Sequence, residues 1–159
     1  MKQDTAQVTQ EHLENLKRSC LGATISQFLH RTIEIPEAGR AKVTIPFNPQ
    51  LTQNSDFVHG AVLFEAADTA GFIAANSLEP TYTLLTVDYY IRLLRPVQRE
   101  GIHAVAEVVH QGRTLLTTRS EVFSDSGTLV AAGQGTYMVT RIPLTQVAGY
   151  NNDSAEPSG

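Results

Sequence analysis

The chain has 159 residues, of which 42% are hydrophobic, and this length and composition predict one soluble globular domain. Its net charge is −4 and its twelve Lys and Arg residues are scattered, which argues against nucleic-acid binding. No apolar run reaches the roughly 18 residues of a membrane-spanning helix, no signal peptide is evident, and the only cysteine, Cys20, cannot form an intrachain disulfide. We therefore expect a cytoplasmic protein without membrane association.

Residue types that bind metals are not grouped in the sequence. The five histidines lie far apart, at positions 12, 30, 59, 103 and 110, and there is no CxxC or HExxH motif. We expect neither a metal ion nor another cofactor.

The folded domain is predicted to occupy residues 9–142. A disordered N-terminus is predicted over residues 1–8. A flexible tail is predicted over residues 143–159, because this segment is mostly polar and ends in Asp-Ser-Ala-Glu-Pro-Ser-Gly.

The first predicted element is a helix between Thr9, a candidate N-cap, and Gly22, because apolar residues recur there at helical spacing. Two runs typical of strands follow, at about 25–35 and 41–47. The stretch 59–77 then has the length of a helix and is apolar nearly all round, so we predict that it is buried on most sides.

Beyond this helix the hydrophobic pattern changes to a period of two residues, which is typical of a strand. One face of this strand is predicted to be apolar and to carry Leu85, Val87, Tyr89, Ile91 and Leu93. The opposite face is predicted to carry Thr86, Asp88, Tyr90 and Arg92.

Three further strands are predicted at about 100–110, 114–124 and 128–140, joined by hairpin turns. Consecutive hairpins form an antiparallel sheet, and one long helix covers only one face of it. We therefore predict an α+β fold in which a curved antiparallel sheet wraps around a long central helix. Such a sheet leaves an edge strand, which we expect to be buried against a second copy of the chain.

Two carboxylates, Glu65 and Asp68, lie three residues apart in the apolar helix and face nearly the same way. An acid on a helix often lies at the edge and meets water or a basic partner. A carboxylate among Ala, Phe and Ile is costly unless it is hydrogen-bonded or has a function.

His59 and Gly60 open the same helix. Nine residues separate His59 from Asp68, which corresponds to roughly 13 Å along the helix axis and to opposite sides of the helix. The two residues cannot form a pair within one chain. They serve one site only if Asp68 faces the His59 end of a second subunit, so a catalytic interpretation requires an oligomer.

A helix N-terminus offers N–H groups that polarise a carbonyl group, and a glycine there lets a substrate approach the backbone. Together with a carboxylate, this combination favours acyl transfer to water, with Asp68 acting either as a general base or as a nucleophile. No Gly-x-Ser-x-Gly motif is present, and Cys20 has no histidine nearby in sequence, so a serine or cysteine hydrolase fits poorly.

Three parts of the sequence carry a family resemblance. The first consists of residues 53–61 and 67–71, the second of residues 86–96, and the third of Gln111-Gly-Arg-Thr114. In this order they resemble the central helix, the next strand and the characteristic turn of hotdog-fold thioesterases of the phenylacetic-acid-pathway type. The resemblance covers about residues 22–141. It implies a hotdog fold, hydrolysis of an acyl-CoA thioester to the free acid and CoA, and a dimer or tetramer.

The resemblance also implies a role for each matching residue. Asp68 corresponds to the acid that activates water or attacks the thioester, and Gly60 to the N–H donor that polarises its carbonyl group. Gln53 corresponds to the residue that positions the water, with Asn54 as the alternative. His59 corresponds to the histidine at the helix entrance. Thr86 corresponds to a Ser or Thr near the acid in some members.

Gln111, Gly112, Arg113 and Thr114 correspond to a turn that contacts the CoA portion, where Arg113 could pair with a phosphate group. Ala61 replaces the second glycine of the usual His-Gly-Gly sequence. Its methyl group narrows the mouth of the implied pocket but leaves its N–H group in place.

Two other functions are compatible with the same fold. One is an acyl-CoA-binding protein without turnover, and the other is a hydratase or dehydratase, whose acid is spaced differently from its histidine. The acyl group stays open between aryl and medium-chain fatty acyl, and its carrier stays open between CoA and a carrier protein. The assembly stays open between dimer and tetramer.

Overall fold

The computed structural model describes residues 7–151 as three α-helices and six β-strands. Its helices are α1 (Gln10–Gly22), α2 (Thr24–Leu29) and α3 (Gly60–Asn76). Its strands are β1 (Thr32–Glu37), β2 (Arg40–Ile45), β3 (Tyr82–Leu93), β4 (Ile102–Gln111), β5 (Leu115–Ser124) and β6 (Leu129–Pro143). Single 3-10 turns lie at Pro49–Leu51 and Leu144–Gln146. None of the helices in these residues is both long and apolar enough to cross a membrane.

The six strands form one antiparallel sheet in the order β1-β2-β4-β5-β6-β3. Helix α3 contacts five of them, β2 to β6. Five strands spaced about 4.8 Å apart extend about 19 Å, whereas a helix is only about 10–12 Å wide. The sheet therefore curves around α3, and the predicted α+β hotdog architecture is confirmed.

Small side chains on α3 allow this close packing. Ala66, Ala67, Ala70 and Ala74 have no exposed surface and lie in the core between the helix and the sheet. Because alanine has the highest helix propensity, the same residues favour the helix locally and admit the sheet. Sequence pattern and packing therefore agree for the central element.

The predicted strand at 25–35 is wrong in its first half, because Thr24–Leu29 forms α2. Ile25, Phe28 and Leu29 lie at helical spacing, although only Leu29 of the three is buried. The helix ends at His30, whose φ of 50° is in the left-handed region typical of helix ends. Strand β1 begins only at Thr32.

The predicted alternation along β3 is also wrong, because a β-bulge lies in the middle of the strand. Thr86 pairs with Tyr137 of β6 and Asp88 with Thr136, so Val87 is an additional residue on β3. A bulge reverses the side-chain phase beyond it. Thr86 therefore faces α3 together with Tyr89, whereas Leu85 and Val87, predicted to share the face of Tyr89, are 55% and 56% exposed.

The C-terminal segment packs back onto α1. A flexible tail was predicted to begin at residue 143, but Leu144 and Tyr150 are buried. His12 of α1 joins this segment to the end of α3. Its Nδ1 lies 2.6 Å from the Tyr150 hydroxyl group and its Nε2 lies 3.0 Å from the carbonyl oxygen of Asn76. The rest of the predicted tail (152–159) and residues 1–6 of the predicted disordered N-terminus lie outside the described residues.

We predict that His12 makes the stability of the fold depend on pH. Burial lowers the pKa of His12 below its ordinary value of 6.5, because the charged imidazolium is desolvated, and this effect outweighs the hydrogen bond to the Asn76 carbonyl oxygen, which favours the charged form. The unfolded chain therefore binds the proton more readily, and stability is lost as the pH falls below 6.5 towards the folded-state pKa.

Urea unfolding at several pH values between about 7 and 5 measures this dependence. In His12→Gln the free energy of unfolding should depend less steeply on pH than in the wild type. Burial also lowers the pKa of His103, but this contribution is common to both proteins. Equal slopes for the two proteins would show that His12 does not titrate against the fold.

Candidate active site

Asp68 is held by hydroxyl groups from two neighbouring strands. Thr86 of β3 donates a hydrogen bond from its hydroxyl group to Oδ1 of Asp68 at 3.1 Å and lies 3.4 Å from Oδ2. Tyr137 of β6 lies with its hydroxyl oxygen 3.2 Å from the same Oδ1 and 3.1 Å from the backbone carbonyl oxygen of Asp68. The bulge at Val87 is what turns Thr86 towards this carboxylate.

Burial raises the pKa of the Asp68 carboxyl group above its ordinary value, and the hydrogen bonds from Thr86 and Tyr137 oppose that effect. A carboxylate whose pKa is raised is a stronger base once it is ionised. Asp68 is therefore suited to accept a proton from water.

Tyr137 is a site residue that sequence reasoning missed. It is fully buried, and its hydroxyl group fits between two glycines. A Cβ atom at Gly71 would lie 2.2 Å from this hydroxyl oxygen, and one at Gly135 would lie 2.8 Å from it. The Gly71 position in an Ala-rich helix was the available signal, because a glycine inside a helix is costly unless something approaches closely.

Glu65 has a structural role that separates it from Asp68. Its carboxylate pairs with Arg31, which follows α2, and accepts a hydrogen bond from Thr69 at 2.8 Å. The Arg31 side chain is only 5% exposed. Glu65 thus neutralises a buried guanidinium group and ties α2 to α3.

The N-terminus of α3 forms a second cluster. His59 is the N-cap residue, and its Nδ1 accepts a hydrogen bond from the Ala61 N–H group at 3.0 Å. The N–H group of Gly60, the first helical residue, has no acceptor within the helix. Gln53 and Gly60 line a cavity of about 400 Å³ together with Leu93, whereas Asn54 is exposed and does not line it.

The two clusters do not meet within one chain. Eight residues of helix separate Gly60 from Asp68, which corresponds to about 12 Å along the axis. One face of α3 is only partly covered by the sheet of its own chain, and its residues are partly or fully exposed. This open face consists of Ala61, Phe64, Glu65, Asp68, Thr69 and Phe72.

The predicted CoA-contacting turn connects β4 to β5. Gln111 ends β4, Arg113 and Thr114 are exposed, and the Gly112 N–H group donates to the carbonyl oxygen of Leu115 at 2.9 Å. The next residue, Leu116, pairs with Tyr137, which pairs with Thr86. The turn therefore lies at the Asp68 end of the sheet and not at the Gly60 end.

No group of three His, Cys, Asp or Glu side chains in residues 7–151 is arranged to hold a metal ion. The chemistry available at the two clusters is that of a carboxylate, hydroxyl groups and helix N–H groups.

Comparison with known proteins relates this chain and its fold to thioesterases. The model of the thioesterase superfamily matches residues 56–131, which include α3 and most of the sheet. A candidate esterase of Saccharolobus solfataricus is 27% identical over 117 residues, covering 74% of this chain and 78% of that protein.

Solved structures show the same similarity. A thioesterase family protein from Silicibacter pomeroyi is 27% identical, with a TM-score of 0.75 over 80% of this chain and 96% of that one. The Escherichia coli PaaI protein from the phenylacetic acid degradation operon shares the fold, with a TM-score of 0.78 at 24% identity over 86% of this chain and 99% of that one. The chain is therefore a hotdog-fold relative of the thioesterase superfamily, and the resemblance seen in the motifs is confirmed.

We predict opposite phenotypes for the two helix acids. Glu65→Ala leaves the Arg31 guanidinium group buried without its carboxylate, which should lower the free energy of unfolding by about 3 kcal/mol. Asp68→Ala removes a carboxylate whose burial is unfavourable, so it should unfold near the wild-type urea concentration but lose turnover. Urea unfolding measures the stability of both variants, and turnover is then measured under conditions where each variant is folded. Equal loss of turnover in the two variants would contradict the separate roles of Glu65 and Asp68.

Proposed function

We propose that this protein is an acyl-CoA thioesterase that uses Asp68 as its catalytic carboxylate. The observation that carries the proposal is the pair of clusters on α3, a hydrogen-bonded carboxylate in the middle of the helix and a free N–H group beside a cavity at its start. Similarity to the thioesterase superfamily supports the thioester as the bond that is cleaved. We propose a cytoplasmic location, where the single thiol of Cys20 stays reduced.

The reaction we propose uses one group from each cluster. The Gly60 N–H group donates to the thioester carbonyl oxygen and stabilises the negative charge that develops there. Asp68 either accepts a proton from the attacking water or attacks the carbonyl carbon itself to form an anhydride that water then cleaves. In both cases the carbon–sulfur bond breaks, CoA leaves as its thiol, and the free acid remains.

Because the clusters are about 12 Å apart in one chain, we propose that each active site forms between two subunits. Strand β3 is an edge strand of the sheet, and edge strands that expose apolar residues favour pairing. Its exposed apolar side chains are Tyr82, Leu85, Val87, Tyr90 and Leu93. If β3 pairs with its symmetry mate, the two α3 helices run antiparallel and Asp68 of one subunit approaches Gly60 of the other. This dimer is the minimum assembly, and a tetramer is a pair of such dimers.

Two surfaces suit the two ends of the substrate. The exposed guanidinium group of Arg113, in the turn at the Asp68 end of the sheet, is suited to a CoA phosphate group. A mostly apolar cavity of about 440 Å³ beside α3 is suited to an aryl or medium-chain acyl group. Thr69 and Phe72, one and four residues beyond Asp68, line it together with Cys20, Ala23 and Arg31.

Release of free thiol from a panel of aryl- and fatty-acyl-CoAs tests the activity directly. The wild type should hydrolyse some of these thioesters, and Asp68→Asn should lower kcat about a hundredfold or more because the amide cannot act as a base or nucleophile. Absence of thiol release across the panel, with binding of acyl-CoA retained, would instead identify a binding protein. A changed acyl chain without thiol release would identify a hydratase or dehydratase.

Subunit complementation tests whether the site is shared. Gly60→Pro removes the N–H group and is compatible with the backbone, because proline is favoured at the first helical position and His59 already has the extended backbone (φ −64°, ψ 139°) that proline requires before it. Its ring also adds a Cβ atom beside Leu93, an effect that needs a separate control. We predict that this variant and Asp68→Asn are each inactive alone. Co-expressed, they should regain about a quarter of wild-type activity, since half of randomly paired dimers then contain one intact site of two.

Gly60→Ala is the matched control, because it retains the N–H group while adding the Cβ atom that would meet Leu93 at 2.8 Å. It should keep most of the activity, which would assign the loss in Gly60→Pro to the N–H group. A mixture of the two inactive variants that stays inactive, although hybrid dimers are detected by mass spectrometry, would show that the site is not shared.

A further inference from the structure

We propose that Tyr137 is a positioning residue for Asp68, whose hydroxyl group joins that of Thr86 in holding Oδ1 and so leaves Oδ2 as the oxygen that meets water or the thioester. The inference deepens the proposed function and rests on it. It distinguishes the two oxygens of the catalytic carboxylate, which sequence motifs cannot do.

The geometry around the carboxylate is asymmetric. Oδ1 lies 3.1 Å from the Thr86 hydroxyl oxygen and 3.2 Å from that of Tyr137. Oδ2 lies 3.4 Å from Thr86, which is the weaker part of the same contact. The single hydroxyl proton of Tyr137 has two acceptors within reach, Oδ1 and the Asp68 backbone carbonyl oxygen at 3.1 Å. When it points to Oδ1, Thr86 and Tyr137 together occupy both lone pairs of that oxygen. Oδ2 then keeps the lone pairs that a base or nucleophile uses.

The hydroxyl group of Tyr137 has little freedom to lie elsewhere. The side chain is fully buried, and its ring packs edge-on against Phe72 at 6.4 Å between ring centres. The hydroxyl oxygen lies against Gly71 and Gly135, and a Cβ atom at either position would lie within 3 Å of it. A fully buried hydroxyl group cannot touch substrate, so Tyr137 acts on the reaction only through Asp68.

The Tyr137 hydroxyl group stays protonated, and so remains a hydrogen-bond donor, over the pH range in which Asp68 ionises. Burial and the negative charge of Asp68 raise the pKa of the Tyr137 hydroxyl group far above its ordinary value. The other titratable groups near Asp68 are Tyr89 of β3, whose pKa burial raises to about 12, and Glu65 on the same helix, which is paired with Arg31. The Tyr137 hydrogen bond favours the ionised carboxylate and opposes the effect of burial on its pKa.

The decisive experiment is the pH dependence of kcat in Tyr137→Phe, which removes one oxygen atom and retains the ring. We expect the acid limb to move upward by about one pH unit and the maximal kcat to fall about tenfold, because a hydrogen bond to a charged group is lost. KM should stay unchanged. Thr86→Val should move the acid limb in the same direction, and because Thr86 is exposed, only the acid limb of this variant is compared.

Tyr150→Phe is the matched control. It also removes a buried tyrosine hydroxyl group, one that contacts His12 rather than Asp68. It should lower stability and leave the acid limb in place. If Tyr137→Phe resembles Tyr150→Phe, with stability lowered but the acid limb and kcat unchanged, the hydroxyl group is only structural and the proposal is wrong.

A measurement that needs no activity separates this inference from the proposed function. The Asp68 carboxyl carbon can be titrated by NMR in the wild type and in Tyr137→Phe, with Asp68→Asn to assign the resonance. A higher pKa in Tyr137→Phe would support the positioning role even if no thioester is cleaved. An equal pKa in the two proteins would overturn it even if the wild type is an active thioesterase.

Discussion

Close approach between a helix of small residues and a curved sheet is the constraint on which the rest of this structure depends. The alanines of α3 lie against five strands and leave the helix one open face. Asp68 lies at the border between that face and the sheet, where its partial burial raises the pKa of its carboxyl group. The packing of α3 against the sheet therefore also sets the environment of Asp68, so a substitution that changes this packing changes the pKa of Asp68 as well.

Burial of a carboxylate in this interface also explains why the surrounding strands contribute hydroxyl groups. An ionised group in an apolar core is unfavourable unless donors approach it, and Thr86 and Tyr137 supply them from adjacent strands. The paired acid one turn earlier, Glu65, meets the same requirement with a cation, Arg31. A cation leaves a carboxylate neutralised, whereas hydroxyl donors leave it able to accept a proton, and this difference distinguishes the two acids.

The order of elements and the candidate Asp68 could be predicted because their signals are local: a long apolar run, period-two strands and turn residues. The phase of β3 could not, since the bulge at Val87 depends on pairing with β6, which strict alternation within one strand does not reveal. Tyr137 was missed for the same reason, because 69 residues separate it from Asp68 and only the strand register brings them together. Helix α2 was mistaken for a strand because its six residues are too few for a clear period.

Tyr137, Gly71 and Gly135 form an interlocked set, and this has a consequence for how the protein can vary. Enlarging either glycine displaces the hydroxyl group, while losing the hydroxyl group leaves a polar carboxylate beside an empty space. Enlarging Gly71 or Gly135 is unfavourable while the Tyr137 hydroxyl group is present, so sequence changes at these three positions are coupled. Thr86, which lies at the exposed rim of the same carboxylate, is free of this restriction. If the pKa of Asp68 changes as this protein evolves, we therefore expect the first substitution responsible to lie at residue 86.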